Sequence, residues 1–506
     1  MRLLPLLLLA ACTGPADPPA DPVLPPESAW PRLEQTWSMA THNAYWVDRG
    51  APSDLFASGT NERILDQVLG DGARSVELDV HRDPDVPGGF RVYHTVPGNS
   101  QCDSLADCLA PLALFHDTVP EHMPVTIALE LKELISSNFD ATHTVDDLDA
   151  IFRAAFGDRL YTPGDLLDRC DALGARTDTL SHCVEDVRWP DVHALRGRFL
   201  VAILGNWDTL GAVSTADWAD YATTDLVHRA AFPMASTWRL DHTTLPPDVA
   251  QHVTPETLAA AVDASVFVQV ETEDDPLLLP SLARGAIVRI DGHFSPEQQA
   301  AATALGVQLL QTDTPWVQAD PVAVDQPLRS LRDEPDPTVM VEPSARLTLD
   351  DAQPEHVLFD GDLPDFTWVT LASGHDGQRG ACLRVDGGDG TASLTVCRGR
   401  VEDPGQPDHL TARVELVLCD ELGACTTIAQ EVPDNTVADR LGVARSSTPG
   451  CVDLQVLSSV RVDGTSTGFT LAGPLCGSAP YNRGVLVRRE GVTGPVGAFA
   501  TVEGGG

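Results

Sequence analysis

Four short segments carry side chains able to do acid–base or metal chemistry: Thr41-His42-Asn43-Ala44-Tyr45, Glu77-Leu78-Asp79, Tyr93-His94 and Leu129-Glu130-Leu131-Lys132. Asn43, Glu77, Asp79 and Glu130 offer hard oxygen ligands, a set that suits Ca2+ better than zinc or copper. His42 and His94, if they flank such an ion, supply a general base and a general acid for a phosphodiester. Singly, each residue has a plainer explanation, since a histidine is often a surface or core group and an acidic triplet is often a solvated face. Their joint placement at predicted strand ends makes the case. Lys132 adds to it as the only lysine among 33 basic side chains. A chain so biased toward arginine keeps a lysine where a compact ammonium is needed.

A scaffold must bring these segments to one rim. From about Gln35 to Pro315 short apolar runs alternate with amphipathic stretches, the pattern of a βα repeat. Strands are predicted at Thr36–Thr41, Ser75–Val80, Phe90–Tyr93, Val125–Leu131, Arg198–Leu204, Val266–Glu271, Ala286–Ile290 and Val307–Gln311. Helices are predicted at Asn61–Leu69, Val145–Phe156, Pro255–Ala264 and Pro296–Leu305, with Thr254 and Ser295 as N-caps. About eight strands over some 280 residues fit an α/β, TIM-like (β/α)8 barrel, whose active site gathers at the C-terminal strand ends. A doubly wound sheet is the alternative. On this reading Glu77 and Asp79, two apart on one strand, share a face.

Beyond about Asp320 the texture becomes rich in Gly, Asp, Thr and Pro, with strand-like runs such as Ala412–Leu418 and Gly484–Arg488. We read 35–320 as the barrel, 321–345 as a linker and 346–506 as a disulfide-braced, Cys-rich all-β domain of unassigned role. The loop Asp386-Gly387-Gly388-Asp389-Gly390 reads as a turn, since it lacks the spaced carboxylates of a dedicated calcium loop.

The formal net charge is −41, with 43% hydrophobic and 21% charged residues. Such a field repels nucleic acid and anionic bilayers, so nucleic acid is excluded as a partner and an anionic substrate needs a local metal ion or cation. Residues 1–12 combine a basic start, a short apolar run and Leu9-Ala10-Ala11-Cys12, the parts of a bacterial lipoprotein signal in which Cys12 becomes the lipidated first residue. Residues 13–34 form a Pro/Ala/Asp-rich tether. The expected location is the outer membrane or cell surface, held by acyl chains. Ten cysteines remain besides Cys12, an even number without zinc-like spacing, which predicts disulfides in an oxidising compartment. Cys102 and Cys108 make one close pair, and Cys170 and Cys183 another. His81, His116 and His122 are read as surface groups.

The ordered series Thr41–Tyr45, Gly72–Val80, Val92–His94, Cys102, Cys108 and Pro124–Lys132 resembles the X-box barrel of phosphatidylinositol-specific phospholipase C, and is similar to its bacterial calcium-dependent branch. Val288–Asp291 and Gly306–Asp313 resemble the last two strands of that barrel, so that the likeness spans roughly residues 35–318. The resemblance implies His42 and His94 as the catalytic pair and Asn43, Glu77, Asp79 and Glu130 as calcium ligands. It further implies attack of the inositol 2-hydroxyl on phosphorus, forming a cyclic phosphate and releasing diacylglycerol. His94 then suits the general acid, and His42 binds a phosphoryl oxygen or takes the proton, a task open to Glu130 as well. Lys132 and Arg289 are expected to hold phosphate or headgroup oxygens. Segments 86–90, 206–246 and 289–291 depart from the family pattern.

Two rivals follow from the same residues. A glycerophosphodiesterase or a sphingomyelinase D-like phosphodiesterase of the same barrel superfamily also uses two histidines, a Glu-x-Asp pair and a lysine, but the former usually follows its first histidine with Arg-Gly rather than with an asparagine such as Asn43. The other rival is a non-enzymatic surface-binding lipoprotein. No Walker phosphate loop is present. Nothing in the sequence sets the oligomeric state.

Overall fold

The computed structural model of the chain describes residues 30–46, 59–60, 62–69, 71–95, 97–133, 136–205, 212–236, 251–292, 295–313 and 328–331, and strand segments between 346 and 504. Cys12, most of the tether, nearly all of the expected linker and residues 388–390 of the glycine-rich turn lie outside the described residues.

In chain order the elements are β1 (Thr36–Thr41), α1 (Ile64–Leu69), β2 (Ser75–Arg82), β3 (Phe90–Val92), α2 (Leu105–Thr118), β4 (Val125–Leu131), α3 (Val145–Phe156), α4 (Pro163–Ala172) and α5 (Leu180–Val187). They continue with β5 (Phe199–Gly205), α6 (Ala212–Thr223), β6 (Ala231–Ser236), α7 (Pro255–Ala264), β7 (Phe267–Val270), α8 (Leu278–Arg284), β8 (Ile287–Ile290), α9 (Pro296–Leu305), β9 (Leu309–Thr312) and β10 (Arg329–Ser330). Eight parallel strands run β1-β2-β4-β5-β6-β7-β8-β9, and β9 pairs with β1 to close the barrel. Closure leaves no unpaired edge, and every strand end on one side faces a common mouth. The doubly wound sheet is thereby excluded. β3 and β10 are antiparallel additions to β2 and β1.

The local sequence explains why the elements stop and start where they do. Every residue of β5 is buried, as expected of a strand covered on both faces. Ser104, Thr144, Thr162, Thr254 and Ser295 each accept a hydrogen bond from the backbone N–H three residues on, so the two predicted caps are observed. Proline occupies the first turn of α4, α7 and α9, where its missing N–H costs nothing. The Cys102–Cys108 and Cys170–Cys183 disulfides are both present.

Two strand assignments change. Phe90–Tyr93 is not a barrel strand; its core, β3, folds back antiparallel on β2 with Val80 opposite Val92. The missing barrel strand is β6, Ala231-Phe232-Pro233-Met234-Ala235-Ser236, whose internal proline and small residues read as a break. All six of its residues are buried. Between 346 and 504 the chain forms two six-stranded sheets whose pairings are antiparallel. Their register sets Cys382 opposite Cys397, Cys419 opposite Cys425 and Cys451 opposite Cys476. Cys382 and Cys451 are disulfide-bonded. Among the described residues no helix is long and apolar enough to cross a membrane.

Candidate active site

Alternation along β2 sends Val76, Leu78 and Val80 one way and Glu77, Asp79 and His81 the other. Inside the mouth, Glu77 is the hub of a polar layer drawn from β2, β7, β8 and β9. Its Oε1 lies 3.1 Å from Arg289 Nη1, its Oε2 accepts from Gln311 Nε2 at 2.8 Å, and Gln269 Oε1 accepts from Arg289 at 2.7 Å. Burial opposes ionisation of Glu77, but Arg289 and then His42 outweigh it and hold the carboxyl down at about 2.

One turn of the pleat higher, Asp79 stands opposite Glu130 of β4 in register. Lys132 Nζ sits 2.9 Å from Glu130 Oε2 and 3.4 Å from Asp79 Oδ2. Burial works against its charge, yet Asp79 and Glu130 hold the ammonium firmly protonated. Burial also raises Asp79 and Glu130, and crowding among the three carboxylates adds to it against the pull of Lys132, so that Glu130 is pushed up to about 7.

His42 follows β1 directly, its backbone N–H donating to Thr312 O at 3.1 Å. Its Nδ1 is 2.7 Å from Asp313 Oδ1, which leaves Nε2 toward the mouth, 3.2 Å from Asn43 Nδ2 and 3.9 Å from Glu77 Oε2. Burial disfavours the imidazolium, but the Asp313 hydrogen bond and the charges of Glu77, Asp313 and Asp291 prevail and push His42 up to about 9. Asn43 has a positive φ of 43°, a conformation asparagine tolerates better than most residues, and this turns its N–H onto Glu77 Oε2 at 3.0 Å. Its Oδ1 accepts from Tyr45 at 2.8 Å. His94 lies two residues past β3, where the Tyr93 N–H donates to Asp79 O at 3.2 Å and so ties the segment to the end of β2.

Glu77, Asp79 and Glu130 each place a carboxylate oxygen within 4.8 Å of the others. Asp79 is 1% exposed, and the cation beside it is Lys132. Two buried carboxylates and a half-buried one, Glu130, with Lys132 and Arg289 beside them, form an all-oxygen donor set of the kind that fits a hard divalent cation. Asn43 Oδ1, on the loop directly after β1, is the fourth oxygen expected there.

The cleft beside His42 has a volume of about 410 Å³ and is lined by His42, Glu271, Thr272, Asp291, Gly292, Thr312 and Asp313. Arg289 does not line it; at 1% exposed it lies beneath, on Glu77. Sequence reasoning overlooked three residues that matter here. Asp313 orients His42, and Glu271 and Asp291 border the cleft; their position at the ends of β9, β7 and β8 was the available signal. His81 and His122 are not surface groups: they are 5% and 0% exposed, His81 on the mouth side and His122 packed between Phe115 and Phe199.

Residues 86–232 match the family model described as phosphoinositide phospholipase C, Ca2+-dependent. Among solved structures the chain is similar to a calcium-dependent phosphoinositol-specific phospholipase C from Pseudomonas sp., at 20% identity and TM-score 0.44, covering 60% of this chain and 97% of that one. It is also similar to a Ca2+-dependent phosphatidylinositol-specific phospholipase C from Streptomyces antibioticus, at 20% identity and TM-score 0.40, covering 56% and 95%. A glycerophosphodiester phosphodiesterase from Parabacteroides distasonis follows at 12% identity and TM-score 0.28, covering 55% and 93%. No curated protein matches.

Proposed function

We propose that this protein is a calcium-dependent phosphodiesterase that cleaves phosphatidylinositol-type lipids to diacylglycerol and a cyclic inositol phosphate. The observation that carries this reading is a His–Asp pair, His42 and Asp313, beside a cluster of three carboxylates, two buried and one half-buried, at one barrel mouth. The match of residues 86–232 to a phosphoinositide phospholipase C family supports it.

Glu77, Asp79, Glu130 and Asn43 would hold the calcium ion. When bound, the ion supplies positive charge for the phosphoryl oxygens and acidifies a hydroxyl beside it. The rest is the work of the chain. The inositol 2-hydroxyl oxygen bonds to phosphorus as the glycerol oxygen leaves. His42 Nε2 takes the hydroxyl proton, and Asp313 on Nδ1 fixes the tautomer and stabilises the imidazolium. His94 gives a proton to the glycerol oxygen. Lys132 opposes the burial that favours protonation of Asp79 and Glu130, and Arg289 holds Glu77 ionised, so both cations act through the carboxylates. Cys12 is read as a lipid attachment site that holds the enzyme at the outer membrane or cell surface.

The test is cleavage of phosphatidylinositol vesicles by the purified protein, with calcium and then with chelator. Diacylglycerol and a cyclic or monophosphate inositol, formed only with calcium and lost in His94→Ala, support the reading. Release of choline, ethanolamine or glycerol from other phosphodiesters, with phosphatidylinositol untouched, overturns it in favour of a sister activity.

A further inference from the structure

We infer that His81 is the residue that positions His94, acting as a clamp on the two peptide carbonyls that flank its Cα; the inference rests on His94 being the acid for the leaving oxygen. His94 stands on a segment with little regular structure to hold it. β3 has only three residues and ends at Val92, and beyond it the Tyr93 N–H donates to Asp79 O. His81 supplies what the strand does not. Its Nε2 lies 3.1 Å from Tyr93 O and 3.0 Å from His94 O, so a single N–H is shared between both carbonyls. Its ring stacks flat on the Tyr93 ring, with centroids 3.7 Å apart and planes 3° from parallel.

His81 is itself fixed from behind. Its Nδ1 faces Glu133 Oε1 at 3.8 Å, and Glu133 is held by Ser136, whose hydroxyl donates to Oε2 at 3.0 Å, and by its own N–H on Asn138 Oδ1 at 3.1 Å. The chain of contacts thus runs from the segment after β4 through the end of β2 to the backbone of His94. It joins the two sides of the mouth: Glu133 directly follows Lys132, and His81 is two residues beyond Asp79. A general acid displaced by about 1 Å loses much of its effect, so a clamp on its backbone is a catalytic asset that a packing role alone does not require.

Two variants separate the clamp from the stack. His81→Phe keeps an aromatic ring against Tyr93 and removes the donor; His81→Gln removes the ring and returns an amide near the Nε2 position. With phosphatidylinositol, whose glycerol oxygen must be protonated to leave, His81→Phe is expected to lose at least tenfold in kcat with KM within about twofold. With a nitrophenyl inositol phosphate, whose leaving group needs no acid, the same variant should stay within about threefold. His81→Gln should regain most of the loss. Equal losses on both substrates, or no loss on either, overturn the proposal. A second readout is independent of turnover: the His94 ring resonances in a heteronuclear NMR spectrum of the full chain should shift and broaden in His81→Phe and return in His81→Gln. If they do so in a protein that never cleaves phosphatidylinositol, the clamp stands and the phospholipase reading is what fails. If they do not move in His81→Phe, the clamp is wrong whatever the activity.

Discussion

His42 is held by two acids, Asp313 through a hydrogen bond and Glu77 through charge, and their combined pull sets its protonation. Without calcium the ring should titrate near pH 9, and Asp313→Asn should bring that value down by at least one unit, as read from the His42 resonances. Calcium seated on Glu77 screens part of the same attraction, so adding the ion should also move the titration down, toward the range where a neutral imidazole serves as a base. A titration unmoved by calcium would place the ion away from Glu77. The carboxylates themselves differ in what their loss should do. Glu77→Gln leaves Arg289 charged at 1% exposure with no carboxylate partner, and should cost about 3–5 kcal/mol in urea unfolding. Glu130→Gln leaves Lys132 its contact with Asp79, so calorimetry should show calcium affinity down at least tenfold with the unfolding midpoint nearly unchanged. The oxygen-bearing residues proposed as ligands were legible from sequence because each sits in a short motif on or just after a strand. Asp313 carried no such mark, for its partner His42 is 271 positions away and only barrel closure brings β9 beside β1.

At the scale of elements, the alternation of β2 and the caps of the helices were readable because they are local. Thr254 and Ser295 sit directly before proline and an acidic residue, and the helices begin there. β6 was hidden because a buried strand with Pro233 in it lacks both alternation and β-branched enrichment, and β3 was misplaced because the residues of a short apolar run do not say which neighbour they will pair with. His122 shows how far an element's end can override a residue's usual habit. It precedes β4 and has no solvent exposure, and its ring meets Met123 O through Nδ1 and the His116 ring through Nε2. Burial, only partly offset by the Met123 hydrogen bond, pushes its pKa down to about 3. The unfolded chain therefore binds a proton that the folded chain refuses between about pH 6.5 and 3. Stability from this group is complete above pH 6.5 and declines as the pH falls through that window, at about 1.4 kcal/mol per unit. His122→Phe, which suits the slot between Phe115 and Phe199, should flatten the pH dependence of the unfolding free energy there by about one proton's worth. An unchanged slope would mean that other groups carry the acid sensitivity.

The whole molecule carries a net charge of −41, yet its proposed substrate is anionic and lies in a surface that is often anionic too. Two ranges of electrostatics must then act in opposite senses. At contact distance the ion site and His42 favour a phosphodiester. At longer range the summed field repels an anionic bilayer and slows encounter, and only this longer range is screened by salt, with a Debye length of about 10 Å at 0.1 M. Binding of phosphatidylinositol diluted in zwitterionic vesicles should accordingly be faster than in vesicles made largely of anionic lipid. At about 10 mM NaCl and fixed free calcium the difference in kcat/KM should reach several-fold, and it should shrink toward unity by about 150 mM. The effect should lie in the encounter, leaving kcat at saturating lipid unchanged. The same acidity is written around the cleft by Glu271 and Asp291, so extra phosphates on the inositol ring should lower kcat/KM on top of this, and salt should relieve that loss less, because those carboxylates line the cleft itself. Equal rates on both vesicle types at low salt would show that the charge is turned away from the membrane, and would leave the mouth of the barrel as the surface where lipid selection occurs.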